Sequence, residues 1–170
     1  MRQPITAILS TLALAGAVPA AGQQRGTRCD ISAYVIDRDA AGLNVRAGPS
    51  AAAPRLRVVS NQGSAVARIR GQSGAWFRVS IVVDAESDEN LFRGDGWIHA
   101  SLLTLSVANA DPRLYARPRL QSRALARLVP EDSQVTLIGC AGNWARVRAS
   151  GRVGWLSPGG QCSNPLTTCV

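Results

Sequence analysis

The sequence of 170 residues predicts an all-β protein, two small barrels in tandem after a cleaved signal peptide. Three observations carry that prediction. Residues 142–156 read GNWARVRASGRVGWL, in which Arg146 and Arg148 alternate with Ala145, Val147 and Ala149. That is the period of two expected of a strand with one buried face. The elements of this hairpin also occur earlier: Trp-x-Arg-Val begins at Trp76 and again at Trp144, and Gly-Trp-aliphatic at Gly96 and again at Gly154. All four tryptophans therefore sit in repeated hairpins. Finally, no stretch after residue 22 sustains a helical period, whereas Gly, Pro and Asn break the chain into short apolar runs, the pattern of small all-β barrels.

In chain order, Met1-Arg2-Gln3 is a basic head, followed by the apolar run 5–18 and the small residues Pro19-Ala20-Ala21-Gly22. This is the pattern of a secretory signal peptide over residues 1–22, with cleavage after Ala20 or Gly22. Its apolar run is too short to span a bilayer. The mature chain is expected to be exported, periplasmic or secreted, without stable membrane insertion. Residues 25–33 read as a polar lead-in and 34–36 as a short first strand. Residues 43–50 (LNVRAGPS) form a strand that stops at Gly48-Pro49. Strands at 55–59 and 65–70 follow, with a turn at 61–63, then strands at 76–83 and 96–98. The second unit opens at Leu114-Tyr115-Ala116-Arg117-Pro118. It continues through strands at 124–129 and 134–139 around a turn at 130–133, and ends in the 142–156 hairpin with Ser150-Gly151 as its two-residue turn. The units are placed at 30–105 and 111–170, with 106–110 as the link.

The offset between equivalent positions is 71 at Leu43 and Leu114, 68 at Trp76 and Trp144, and 58 at Trp97 and Trp155. The first unit thus carries ten extra residues between its Trp-x-Arg-Val and Gly-Trp elements. That insertion holds Asp84, Glu86, Asp88, Glu89 and Asp95. Its alternating oxygens resemble a calcium loop, but the central glycine and trailing glutamate are missing, and a solvated acidic loop is expected instead. Arg93-Gly94-Asp95 reads as turn chemistry before a strand.

Cys29, Cys140, Cys162 and Cys169 are an even set in an exported chain, so two disulfides are expected rather than a metal site. The net charge is +8 and every basic residue is arginine. Nucleic acid is the usual partner of a basic chain, but export argues against it, and an anionic envelope polymer or solubility is the better reading. His99 is the sole histidine, the cysteines are taken up in pairs, and no serine sits in an elbow motif. The set of nucleophile, base and oxyanion donors that an enzyme needs is absent. No catalytic residue, cofactor or metal is predicted.

Leu43-Asn44-Val45-Arg46-Ala47-Gly48-Pro49-Ser50, then Trp76-Phe77-Arg78-Val79, then Gly96-Trp97-Ile98 resembles a bacterial-type SH3 domain, and 114–118 through Gly154-Trp155-Leu156 resembles a second copy with a degenerate opening. The resemblance implies SH3-like barrels of five or six strands. It also implies a binding role, towards cell-wall peptides or partner proteins, in a family that often accompanies cell-wall hydrolases. The C-terminal stretch 162–169 lies outside it and reads as an appended disulfide clasp. In a barrel of this type the strand ending at Cys140 stops where Leu156 finishes, which puts Cys162 within reach. A Cys140–Cys162 bridge would close 22 residues and contribute about 3 kcal/mol, leaving Cys29 to meet Cys169. The competing arrangement, Cys162 with Cys169 and Cys29 with Cys140, stays open.

Strand alternation puts Trp144 with Arg146, and Trp76 with Arg78, on the polar faces of their strands. Large aromatics beside arginine are the composition of binding hot spots, so these four residues are the candidate ligand-binding set. Tyr115 joins them, because Leu114-Tyr115 resembles the aromatic opening of a proline-binding groove. Trp97 and Trp155 are expected to pack in the cores. The expected function is a non-catalytic, exported binding module for a cell-envelope ligand, either a peptidoglycan peptide or an envelope protein. The alternative is a structural accessory subunit of an envelope complex with no small ligand.

Overall fold

Alternation builds the first strand. In β1 (Thr27–Val35) the side chains of Cys29, Ile31, Ala33 and Val35 are buried and the residues between them face outward. The expected polar lead-in is thus most of a nine-residue strand; Cys29 and Ala33 occupy two of its four inward positions, which weakened the apolar signal. Next come β2 (Leu43–Arg46), β3 (Arg55–Val59), β4 (Ala65–Ser73), β5 (Trp76–Asp84) and β6 (Asn90–His99). A single-turn 3-10 helix, Ala100–Leu102, leads into β7 (Leu103–Thr104). These strands form one sheet in the order β3-β2-β6-β5-β4-β1-β7. The computed structural model describes residues 26–37, 39–60, 64–130, 135–167 and 169. The signal-peptide prediction and the turn at 61–63 fall outside them, as does most of the turn at 130–133.

The second half runs β8 (Ser106–Val107), β9 (Arg113–Tyr115), β10 (Ala124–Arg127), β11 (Val135–Ala141), β12 (Trp144–Ala149) and β13 (Arg152–Leu156), then a 3-10 turn at Pro158–Gly160 and β14 (Gln161–Cys162). Its main sheet has the order β10-β9-β13-β12-β11, and β14 pairs with β8. The order β3-β2-β6-β5-β4 recurs here strand for strand. The expected link at 106–110 contains a strand, because β8 receives the tail of the chain. Both sheets curl in the manner of small SH3-like barrels, and the described residues hold no helix longer than one turn.

Local chemistry explains the hairpins. Ser150 and Gly151 both adopt positive φ (48° and 72°), the turn that matches strand twist. The ten inserted residues lengthen β5 and β6 into a longer hairpin tipped by the acidic loop, whose Asp84 caps it. Asp84 accepts the backbone N–H groups of Glu86 and Ser87 at 2.9 Å each and the Ser64 hydroxyl at 2.6 Å. Those hydrogen bonds, Ser64 first, hold its carboxyl below the usual value. Gly94 (φ 143°) lies at a bulge inside β6, so Arg93-Gly94-Asp95 belongs to the strand and not to a turn before it. The Gly-Trp motif is steric in origin. A Cβ at Gly154 would stand 2.6 Å from Leu114 Cγ and 2.8 Å from the Tyr115 carbonyl oxygen. At Gly96 it would run into Val45 Cγ1.

One buried cluster joins the two sheets, running from Ile31, Val45, Phe77 and Ile98 to Leu114, Leu137, Val147 and Leu156. Polar contacts fix the junction. Gln72 on β4 reaches the free edge of β11, donating to the Ile138 carbonyl at 3.1 Å and accepting from the Cys140 N–H at 3.3 Å. The Thr104 hydroxyl donates to the Val135 carbonyl at 2.8 Å. Cys29 forms a parallel bridge with Gly142, where Asp30 N–H donates to the Gly142 carbonyl at 2.7 Å.

The disulfides are Cys29–Cys140 and Cys162–Cys169. This corrects the pairing of Cys140 with Cys162 and Cys29 with Cys169, and it is the competing arrangement that forms. The reason is strand pairing: β8 holds Cys162 beside Ser106, whereas β1 brings Cys29 alongside the β11–β12 turn. The first bridge ties the two sheets together and the second closes a local loop in the tail.

Candidate ligand-binding surface

The predicted site residues separate into three places. Trp76 is half-buried at the start of β5, opposite His99 on β6, and the two rings meet edge to face with centroids 5.1 Å apart. They line a pocket of about 230 Å³ with Asn44, Arg46, Ala51 and Leu102. The Arg46 guanidinium donates to the Ala53 carbonyl at 2.8 Å and so holds the loop that forms one wall. The amide oxygen of Asn44 is buried without a hydrogen-bond partner. Such an orphan acceptor costs about 1–3 kcal/mol unless something occupies it.

Arg78, two residues along β5, does not share that pocket. It pairs with Asp95 at 3.3 Å and lines a separate cleft with Trp97. Trp97 was expected in the core, but it alternates with the buried residues Gly96 and Ile98 and therefore faces out. The signal was present in the motif: with Ile98 buried, alternation turns its neighbour away.

In the second unit the arrangement is closed. Trp144 is half-buried, and its ring meets Tyr115 edge to face at 5.5 Å. Tyr115 is 1% exposed. The structure therefore puts Tyr115 behind Trp144 as packing rather than on a groove. Its hydroxyl donates to Asp111, which also accepts from the Ser157 hydroxyl and the Arg113 guanidinium. Burial, then the neighbouring carboxylate, raises the Tyr115 phenol above its ordinary value. Burial pushes the Asp111 carboxyl up, but the three donors outweigh it and hold the group below its ordinary value. Arg146 lies over the Trp155 ring, 6.0 Å from its centroid. Trp155 is half-buried and outward like Trp97, again between two buried neighbours.

The two sheets thus differ at this position of their shared strand order. Tyr115 fills the space against Trp144, whereas the smaller Asn44 leaves a pocket open beside Trp76. Among the described residues no group of three or more His, Cys, Asp or Glu side chains is arranged to hold a metal.

Residues 41–104 match the family described as Bacterial SH3 domain. The match runs from the turn before β2 to the end of β7 and contains the Trp76 pocket. No curated protein matches the chain. Domains of this family are in general binding modules for cell-wall ligands and are typically non-catalytic.

Proposed function

We propose that this chain is an exported, non-catalytic binding module. It is built from two bacterial SH3-type barrels in tandem, at 30–105 and 111–170, and takes a cell-envelope ligand at the Trp76 pocket. The observation that carries this reading is the pocket walled by the Trp76 indole and the His99 imidazole, at the position where the second sheet is filled by Tyr115. A pocket of that kind, with two ring walls, accepts a small apolar side chain such as a peptide carries. The ligand is therefore a peptidoglycan peptide or an extended segment of an envelope protein. The recurrent strand order supports the tandem arrangement, and the two disulfides support an oxidising compartment. No part is assigned to nucleic acid or to a cofactor.

The accessory-subunit reading draws on a different face. On the edge strand β3, Leu56 and Val58 are 50% and 43% exposed, and an apolar sheet edge is a surface for docking another protein. Sedimentation of the mature protein with isolated peptidoglycan separates the two. Saturable binding that Trp76→Ala weakens about tenfold or more supports the pocket reading. Asn44→Tyr is the sharper variant: it puts into the first sheet the residue that fills the equivalent space beside Trp144, so binding falls while the fold is kept. Binding that survives both variants would remove the pocket from the reading. Failure to sediment, with one stoichiometric protein partner from periplasmic extract, would favour the accessory role.

A further inference from the structure

A second feature of the first sheet is unused by that reading. Cross-strand neighbours form a row: Trp97 on β6 lies beside Arg78 on β5, Arg78 beside Gly71 on β4, and Gly71 beside Arg28 on β1. The glycine lowers the middle of the row, and the cleft above it holds about 650 Å³, walled also by Pro49 and Arg70. Small-ligand sites commonly occupy about 300–1,000 Å³. Two strand spacings, about 10 Å, separate Arg28 from Arg78. Around the cleft, Arg68 and Arg70 share the single carboxylate of Asp30, and Asp95 holds Arg78. Three guanidiniums, those of Arg28, Arg70 and Arg78, line the cleft against two neighbouring carboxylates, which leaves it positive.

The second sheet carries the same row as Trp155, Arg146 and Gly139, but there it is shut. The Arg146 guanidinium lies over the Trp155 ring. Gln72 Oε1 stands 3.0 Å from where a Cβ of Gly139 would be. In the first sheet Asp95 draws Arg78 aside and β1 supplies Arg28 instead of a cover. The open copy is therefore built differently at each of these points.

We propose that this cleft binds an anionic sugar, a pyranose ring carrying a carboxylate or a phosphate. The indole of Trp97 offers an apolar face to the C–H face of such a ring, and the glycine floor lets the ring lie close to the sheet. Arg28 and Arg78 flank it, and guanidiniums engage two oxygens of a carboxylate or phosphate at once. A peptide suits the cleft less well. The four strands of the row lie inside the sheet with their ladders paired, so no edge is free for strand addition. A nucleic acid strand is tracked by successive stacking platforms, and one aromatic ring supplies a single platform. This site is independent of the Trp76 pocket, and either assignment can fail while the other stands.

Isothermal titration calorimetry on the mature, disulfide-intact chain tests it. The probes are trigalacturonate, glucose 6-phosphate, neutral chitotriose, inorganic phosphate and an oligothymidylate. Trigalacturonate or glucose 6-phosphate is expected to bind about tenfold or more tightly than chitotriose or phosphate alone, and less tightly as salt rises. The tighter of the two names the anionic group. Arg28→Gln changes an exposed side chain, so the fold is kept, and it is expected to weaken the charged sugar about tenfold. Arg148→Gln on the second sheet leaves that affinity unchanged. Equal affinity for the charged and neutral sugars overturns the proposal, as does phosphate binding as tightly as glucose 6-phosphate. So does oligothymidylate binding more tightly than either sugar, or an Arg28→Gln variant with undiminished affinity.

Discussion

Removing the two disulfides one at a time separates their roles, because they close loops of very different length. Cys29 and Cys140 are 111 residues apart, and Cys162 and Cys169 only 7. In the chain-entropy treatment the long bridge contributes about 4.8 kcal/mol and the short one about 2.5 kcal/mol. Cys29→Ala with Cys140→Ala keeps both buried positions apolar, since the two half-cystines are 6% and 3% exposed. Measured by urea unfolding with a slope of about 2 kcal/mol/M, that double variant is expected to lose about 2.4 M of midpoint. Cys162→Ala with Cys169→Ala is expected to lose about 1.2 M. Circular dichroism and tryptophan fluorescence should trace one transition, because a single buried cluster joins the two sheets. A long-bridge variant no less stable than the clasp variant would refute the loop-entropy argument. A non-reducing peptide map linking Cys140 to Cys162 would refute the pairing itself.

Two further predictions follow from contacts described above. Gly154→Ala forces a methyl towards Leu114 Cγ and the Tyr115 carbonyl. It is expected to cost about 1–3 kcal/mol in denaturant unfolding; a neutral effect would mean that β9 shifts freely past β13. Asp111 has a depressed carboxyl value when folded. Its stabilising contribution is therefore full above the unfolded value near 3.9 and lost as pH falls through the folded one. Unfolding free energies of the native chain and of Asp111→Asn, measured from pH 6 to pH 2, should converge as the pH falls. A gap that stays constant to pH 2 would show that the carboxylate charge contributes nothing.

Equivalent motifs in the two units have different fates because of residues outside them. Asn44 against Tyr115 decides whether a pocket opens beside the tryptophan. Asp95 against an unpaired Arg146 decides whether an arginine covers the neighbouring indole. A substitution in either flank changes the site while leaving Trp-x-Arg-Val intact.

Strand identity was local information. Alternation in 144–149, the positive-φ turn at Ser150-Gly151 and the bounds of β3 follow from residues within a few positions of each other. The all-β class was legible for that reason. So was the lengthened first hairpin, since an offset that drops by ten must be absorbed between two matched motifs. β1 was misread because its inward positions include Cys29 and Ala33, whose side chains carry little apolar signal in a one-dimensional pattern. What lay beyond the sequence was every relation between distant segments. That β1 lies between β4 and β7 while its start bridges Gly142 determines which cysteine reaches Cys140. That β8 receives β14 holds Cys162 in the tail. The closure of the second sheet by Gln72 and the orphaned Asn44 oxygen are settled by packing across tens of residues. Periodicity says which side of a strand a residue occupies; only the folded chain says what stands opposite it.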